Sequence, residues 1–538
     1  MLCLSGTPER RIADGINPVP EDQSSRNVLS RMRYSSTRHP TEASRVLQPE
    51  YSVRETTMST STTRPDDRGA PPPREIAHLS VAERTARGRA ARNEVPRTRQ
   101  AEFAPGRERP DPIALLESQA ESRVPELLPI RYGRMLASPF AFYRGAALIM
   151  ASDLAATPVA GLRVQLCGDA HLSNFGIFGT PERRMLFDIN DFDETNPGPF
   201  EWDLKRLAAS LEVAARENGY APADREAIVT ASARSYRTAM TVFASQSELE
   251  VFYASLDIDS AIAQFQATVS AKMLKRAQAT VAKARTHDSM QAFSKLTQVV
   301  DGEPHITSDP PLIVPVAELY PTEVAADFTE WVQGYLREYR STLDTDRRQL
   351  LERYRFVEIA RKVVGVGSVG TRAWIALMFG RDTADPLFLQ FKEAQPSVLE
   401  AYCGRSEYAN HAHRVVAGQR LMQAASDVFL GWVHVTGIDG IERDFYIRQL
   451  RDWKGSAEIE TMVPKGMEIY ANWCGWTLAR AHARSGDGVA IAAYLGKRDA
   501  FDRAIARFAT AYADQNERDY VALKAAVANG RITAEEGL

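Results

Sequence analysis

The chain has 538 residues, room for two to four average domains or one large domain with a tail, and its 44 % hydrophobic and 25 % charged residues are ordinary for a globular protein. A net charge of −3 supplies no global basic field for nucleic acid or an anionic membrane, and no apolar run approaches the roughly 18–20 residues of a membrane span. Cys3, Cys167, Cys403 and Cys474 are scattered without a C-x-x-C pair, which suggests neither a zinc cluster nor a disulfide framework and fits a reducing cytoplasm.

Met1-Leu2-Cys3-Leu4 runs at once into Pro8-Glu9-Arg10-Arg11 and lacks the apolar core of a signal peptide. Residues 1–105 are rich in Arg, Ser, Thr and Pro and hold too few large apolar residues to offset chain entropy. A disordered tail is expected there, with a short helix near Ser80–Arg92 and Met58 as a candidate true start. The pattern becomes globular at Pro112. Helical spacing covers Pro112–Glu121 and Phe140–Leu154. Val164–Cys167 and Arg184–Ile189 read as short strands, each delivering an Asp at its end, and together as a hairpin-like platform for a metal.

Helices are expected over Trp202–Asn218, Ala223–Ser245, Ser260–Arg285, Thr322–Leu343 and Asp346–Arg361. Asp301-Gly302 and the prolines between Leu296 and Val316 predict a hairpin or lid. Strands follow at Arg361–Val366, Arg372–Phe379, Leu387–Lys392, Val428–Val435 and Asp444–Leu450. Helices return at Met467–Ser485, Val489–Gly496 and Arg498–Asp514.

Two motifs carry chemistry. In Gly168-Asp169-Ala170-His171-Leu172-Ser173-Asn174 an Asp precedes an Asn by five positions (174 − 169), and Asp191-Phe192-Asp193 begins 17 positions later (191 − 174). Kinases use this spacing to position an attacking hydroxyl with the first Asp and to hold Mg²⁺ with the Asn and second Asp. Mg²⁺ usually takes one or two protein carboxylates, so the set suffices. Asp193 supplies a second metal carboxylate or orients Lys205 or Arg206. His171 polarises the substrate or braces Asp169. Asn174 ligates metal or holds its own loop.

The second motif, Gly365-Val366-Gly367-Ser368-Val369-Gly370, opens a dinucleotide-binding helix or covers ATP phosphates as a hairpin. A Rossmann unit needs a helix directly after the glycines. Here β-like residues follow, then a turn, then the strand ending in Lys392, where kinases place a phosphate-binding Lys. Glu400 is the candidate partner of Lys392, with Glu393 pointing to the opposite strand face. Arg144 meets an anion or forms a structural salt bridge. Asp203 is expected to cap the helix at Leu204.

The first loop resembles the His-Gly-Asp-x-His-x-x-Asn loop of aminoglycoside and choline kinases, with Cys167 where those carry His. Asp191-Phe192-Asp193, Pro197 and Asp203-Leu204 resemble their metal-binding segment and the opening of the next helix. From about Gly88 onward the chain resembles the bacterial domain of unknown function 2252 (DUF2252) family. That resemblance rests on Pro129–Met135, Ser138–Gly145, the two Asp motifs, Gly418–Gln423 and Ala479–Arg484. The kinase resemblance implies an α+β, protein-kinase-like, two-lobed fold with a mostly helical large lobe and a small antiparallel-sheet lobe. The Gly loop and Lys392 follow the catalytic Asp, so the fold is expected to be circularly permuted.

The expected division is a tail over 1–105, a helical lobe over 106–355, a β lobe over 356–455 and C-terminal helices over 456–538. The implied function is ATP- and Mg²⁺-dependent phosphotransfer to a small-molecule acceptor. Asp169 and His171 would be catalytic, and Asn174, Asp191 and Asp193 would bind metal. Gly365, Gly367, Ser368, Gly370, Lys392 and Glu400 would bind the nucleotide. A nucleotide-binding regulatory protein without turnover, or nucleotidyl transfer, is the alternative. No nucleic-acid or membrane partner is expected, and the sequence does not give the oligomeric state.

Overall fold

Ser80 accepts the Glu83 N–H while the Glu83 carboxylate accepts the Ser80 N–H, a capping box that starts the helix Val81–Glu94. The computed structural model describes residues 78–266, 270–450 and 452–537. Met58 and the first 77 residues of the expected tail lie outside them. Within residues 78–105 the short helix expected near Ser80–Arg92 is present, and the stretch after it, expected as tail, is ordered as well. Gly88 lies so close to Ala490 that a Cβ would stand 2.0 Å from its carbonyl oxygen, and Arg97 donates to the Leu495 carbonyl at 2.6 Å. Few apolar residues are needed for this docking, because backbone approach and arginine hydrogen bonds carry it.

The helical part is built around Phe200–Glu217, which is buried over almost its whole length. Pro222–Phe243, Pro464–Ser485 and Ala500–Ala528 pack about it. Their many alanines permit close approach, and Gly475 sits against the Ser232 backbone. The last helix extends beyond the expected end at Asp514, and the expected helix Phe140–Leu154 is two, Pro139–Arg144 and Ala147–Ala155, parted at Gly145.

The strands are β1 (Arg163–Leu166), β2 (Phe175–Gly179), β3 (Met185–Ile189), β4 (Asn196–Pro199), β5 (Leu256–Asp257), β6 (Thr297–Val300) and β7 (Glu303–Ile306). They are followed by β8 (Ile313–Pro315), β9 (Arg355–Lys362), β10 (Ala373–Phe379), β11 (Pro386–Ala394), β12 (Gly431–Thr436) and β13 (Glu442–Gln449). The expected pairing of β1 with β3 is not found: β1 pairs with β4, and β3 lies between β2 and β5. The β6–β7 hairpin turns through Asp301 and Gly302, both at positive φ (51° and 86°), as the sequence predicts.

The largest sheet runs β12-β13-β11-β10-β9-β8 and is antiparallel throughout. The helix Thr322–Arg340 packs on one face through Val332, Leu336 and Tyr339, against Trp374, Phe391 and Ile447. The helix expected over Asp346–Arg361 ends at Leu351, and its second half is β9. Sheet pairing overrides helical spacing there, because β10 offers a free edge. Residues 363–372, with all three glycines of the second motif, form the loop between β9 and β10. No helix follows Gly370, so the dinucleotide alternative lacks its defining element. The described residues are thus a mixed α+β fold with antiparallel sheets.

Candidate functional site

β1 leads into the loop that carries Asp169. Gly168 turns it at φ +85°, where a Cβ would stand 2.2 Å from the Glu194 carbonyl oxygen, so only glycine fits. The loop is held from below. The Asp203 carboxylate accepts the Cys167 and Gly168 N–H groups at 2.8 and 3.0 Å, and His482 Nε2 lies 3.3 Å from it. Tyr236 stands behind His482 at 2.8 Å. Asp203 does not cap its own helix, which begins at Phe200. It splints the loop before Asp169 instead, and His482 is wholly buried in the core.

Asp169 is gripped by Arg206, whose Nε and Nη2 lie 2.8 and 2.7 Å from Oδ1. Burial raises the Asp169 pKa, and Arg206 opposes that rise. His171 Nε2 is 3.7 Å from Asp169 Oδ2, in the bracing position, and its Nδ1 is buried without a partner. Burial, reinforced by Arg144 and Arg206, pushes the His171 pKa well below its usual value, so the ring is neutral. The Asn174 amide donates to the Asp169 carbonyl at 2.8 Å, which leaves Oδ1 outside that bond. The Asn190 N–H donates to the Asn174 carbonyl and joins the two motifs.

Asp191 and Asp193 meet Lys392 across 201 positions (392 − 191). Lys392 Nζ is 3.5 Å from Asp191 Oδ2 and makes a close ion pair with Asp193 Oδ2. Tyr446, opposite Lys392 on β13, donates to Asp193 Oδ1 at 2.8 Å. Burial works against charge on all three ionisable groups. The two carboxylates outweigh it for Lys392, whose pKa is raised. Lys392 and Arg448 outweigh it for Asp191, whose pKa is lowered, whereas Asp193 is raised by burial and by the Asp191 charge. Asp193 orients neither Lys205 nor Arg206, since Lys205 turns to Thr157.

The Gly loop closes the opposite wall. Arg134 donates to the Gly365 carbonyl at 2.6 Å and Arg123 to the Val369 carbonyl at 2.5 Å. Gly370, at φ +88°, lies against the Arg123 side chain, and Gly367 against the Arg144 carbonyl. Gly367 and Ser368 line one cleft of about 420 Å³ with Asp169, Asp191, Asp193 and Arg144. Glu194, also in this cleft, accepts the Val398 N–H at 2.7 Å, and burial pushes its pKa up to about 7.

Glu400 corrects an expectation. It does not reach Lys392; it accepts the Ser397 N–H at 3.2 Å and lies 3.9 Å from Arg414 Nε. Its four-residue helix belongs to the connection after β11, on the Arg414 side. Glu393 faces away from Lys392, as strand alternation requires, and accepts the Arg372 N–H at 3.0 Å. Sequence reasoning missed the wider cation set: Arg414 fastens the Asp193, Thr195 and Gln395 carbonyls, and Arg448 the Asn190 carbonyl. No local pattern marks such residues, because their partners are far along the chain.

Among the described residues, no three His, Cys, Asp or Glu side chains converge as a metal cluster. Mg²⁺ needs fewer protein ligands than that, and Asn174 Oδ1 with the Asp191 carboxylate is a hard-oxygen set of the right kind. The unpartnered buried Nε atoms of Arg123 and Arg144 suit anionic oxygens.

Residues 123–526 match the model of a family described as "Uncharacterized protein conserved in bacteria (DUF2252)". The chain belongs to this family. No curated protein and no solved structure matches the DUF2252 chain. No helix among its described residues is long and apolar enough to cross a membrane.

Proposed function

We propose that this DUF2252 protein is an ATP- and Mg²⁺-dependent phosphotransferase acting on a small-molecule acceptor, with a kinase-like arrangement in circularly permuted order. The observation that carries the reading is the meeting of Lys392 with Asp191 and Asp193. Both half-motifs occur once, in reversed order; Lys392 pairs with Asp191 and Asp193, and these two carboxylates line one cleft with Asp169, Gly367 and Ser368.

In this reading Asp169 orients the acceptor hydroxyl. The hydroxyl oxygen bonds to the terminal phosphorus, the bond to the departing ADP oxygen breaks, and the hydroxyl proton passes to the Asp169 carboxylate. Arg206 favours the charged form of that carboxylate against burial and fixes it in place, and the Asp203–His482 splint sets its height in the cleft. His171, neutral and packed beside Asp169, holds the loop. Lys392, Ser368 and the N–H groups of the Gly loop hold phosphate oxygens. Asn174, Asp191 and Asp193 would hold Mg²⁺, which when bound neutralises phosphate charge.

A structure with a non-hydrolysable ATP analogue and Mg²⁺ tests this. The analogue's phosphates are expected between Lys392 and the Gly365–Gly370 loop, and an analogue bound elsewhere would overturn the assignment. A second reading, a nucleotide-binding regulator without turnover, draws on the carboxylates already being paired with Lys392 and Arg206. ATP consumption by the purified protein separates the two.

A further inference from the structure

The charges in the cleft are unevenly matched. Asp169 is paired with Arg206, Asp191 and Asp193 with Lys392, and Glu393 with Arg372 at 3.4 Å. Glu194 is held by a backbone N–H. Arg144 has no such match: it makes no ion pair within 4 Å among the described residues, and its Nε is buried without a hydrogen-bond partner. The carboxylates whose field reaches it are Asp169 and Glu460.

Its place matters as much as its charge. Arg144 ends the helix Pro139–Arg144, directly before the Gly145 that also lines the cleft. Its charge acts on Asp169 and His171, whereas Lys392 and Arg448 act on Asp191. The cleft therefore has two cationic poles: the first is over the metal carboxylates, where Lys392 and Arg448 stand and Arg123, its Nε likewise unpartnered, adds its field at Asp193, and the second, Arg144, is beside the hydroxyl-orienting Asp169. A nucleotide needs only the first. Arg144 is half-buried, and a guanidinium with its Nε buried and unpartnered gains when an anion completes it; its planar fork suits a phosphate or carboxylate.

Resting on the phosphotransferase reading above, we propose that the acceptor is itself an anion, a hydroxyl compound carrying a phosphate or carboxylate group that Arg144 holds beside Asp169. A cationic acceptor would meet the Arg144 charge at the point where its hydroxyl must enter.

Calorimetric titration of the full chain tests this. Inorganic phosphate and, separately, acetate are titrated into protein saturated with Mg²⁺ and a non-hydrolysable ATP analogue. At least one anion is expected to bind the loaded protein, the tighter of the two naming the group. Arg144→Gln should weaken it by about tenfold to a hundredfold, the scale of one charge-assisted contact, with Arg144→Lys intermediate. Nucleotide affinity and melting temperature should stay unchanged in both variants. Anion binding that disappears once the nucleotide is bound, or a tenfold loss of nucleotide affinity in Arg144→Gln, would place Arg144 in the nucleotide site and overturn the proposal. Equal anion binding by parent and Arg144→Gln would overturn it as well. If the nucleotide itself does not bind, the phosphotransferase reading falls; Arg144-dependent phosphate binding in the free protein would still uphold the anion site.

Discussion

Asp188 and Asp191 stand three positions apart (191 − 188), one inside β3 and one just past it, yet their surroundings are opposite. Asp188 is 1 % exposed and saturated: Arg480 lies 2.6 and 2.7 Å from its two oxygens, and the Ile189 and Ala424 N–H groups complete it. Asp191 keeps 29 % of its side chain open to the cleft and meets Lys392 at 3.5 Å. A carboxylate with every lone pair spoken for builds the fold. One held at arm's length by a cation, with an open side, has capacity for a ligand. The contrast separates architecture from site better than acidity or burial alone.

The largest effect should come from the saturated pair. Asp188→Ala strands a fully buried Arg480, and a loss of about 3–5 kcal/mol in unfolding free energy is expected by denaturant titration. A loss under about 1 kcal/mol would erase the distinction between the two aspartates. Asp169→Asn addresses the other side of the comparison. It should lower turnover by roughly two orders of magnitude while nucleotide affinity holds, and matched falls in both would reassign Asp169 to binding.

A third carboxylate sharpens the comparison through pH. Glu201 accepts the Ala160 N–H at 2.6 Å and Gln100 Nε2 at 3.2 Å, no cation lies within 4 Å of it among the described residues, and its Oε2 is buried without a partner. Burial pushes its pKa up to about 7. The folded state therefore holds the proton more tightly than the unfolded chain. The stability this gives is fully present below the ordinary Glu pKa and is lost as pH rises through about 7. Glu201→Gln should flatten the fall in stability between about pH 4.5 and 7, which is on the order of 3 kcal/mol. An unchanged slope would remove Glu201 as its source. The smallest effect is expected from deleting residues 1–57, which offer almost no periodic apolar face to dock. The melting temperature should not move, and a large drop would show that the segment packs on the fold.

The loops were legible in the sequence because their chemistry is local. Asp169, Asn174 and Asp191 are spaced by the chain itself, and the Gly loop begins only 27 positions before Lys392 (392 − 365). The pairing of β1 was not legible. β1 takes Asn196–Pro199 as its partner, a segment of two prolines and a glycine with no strand propensity, held by backbone register alone. Nor were the long-range partners: Arg206, Tyr446 and Arg448 reach the site from helix and strand positions that read as ordinary amphipathic surface. Glu400 shows the reverse error. Its closeness in sequence to Lys392 suggested a pair, but the turn through Gln395-Pro396-Ser397 carries it to Arg414.

The central claim is that Asp191 and Lys392 form the two sides of one Mg²⁺-dependent nucleotide site. Calorimetric titration of a non-hydrolysable ATP analogue across a magnesium series, in the parent and in Asp191→Asn, tests it most directly. The account predicts magnesium-dependent binding in the parent and loss of that dependence in the variant, with an unchanged melting temperature, because an amide cannot supply the carboxylate's charge to the ion. Identical binding by parent and variant at every magnesium concentration, or no nucleotide binding by the parent, would contradict it.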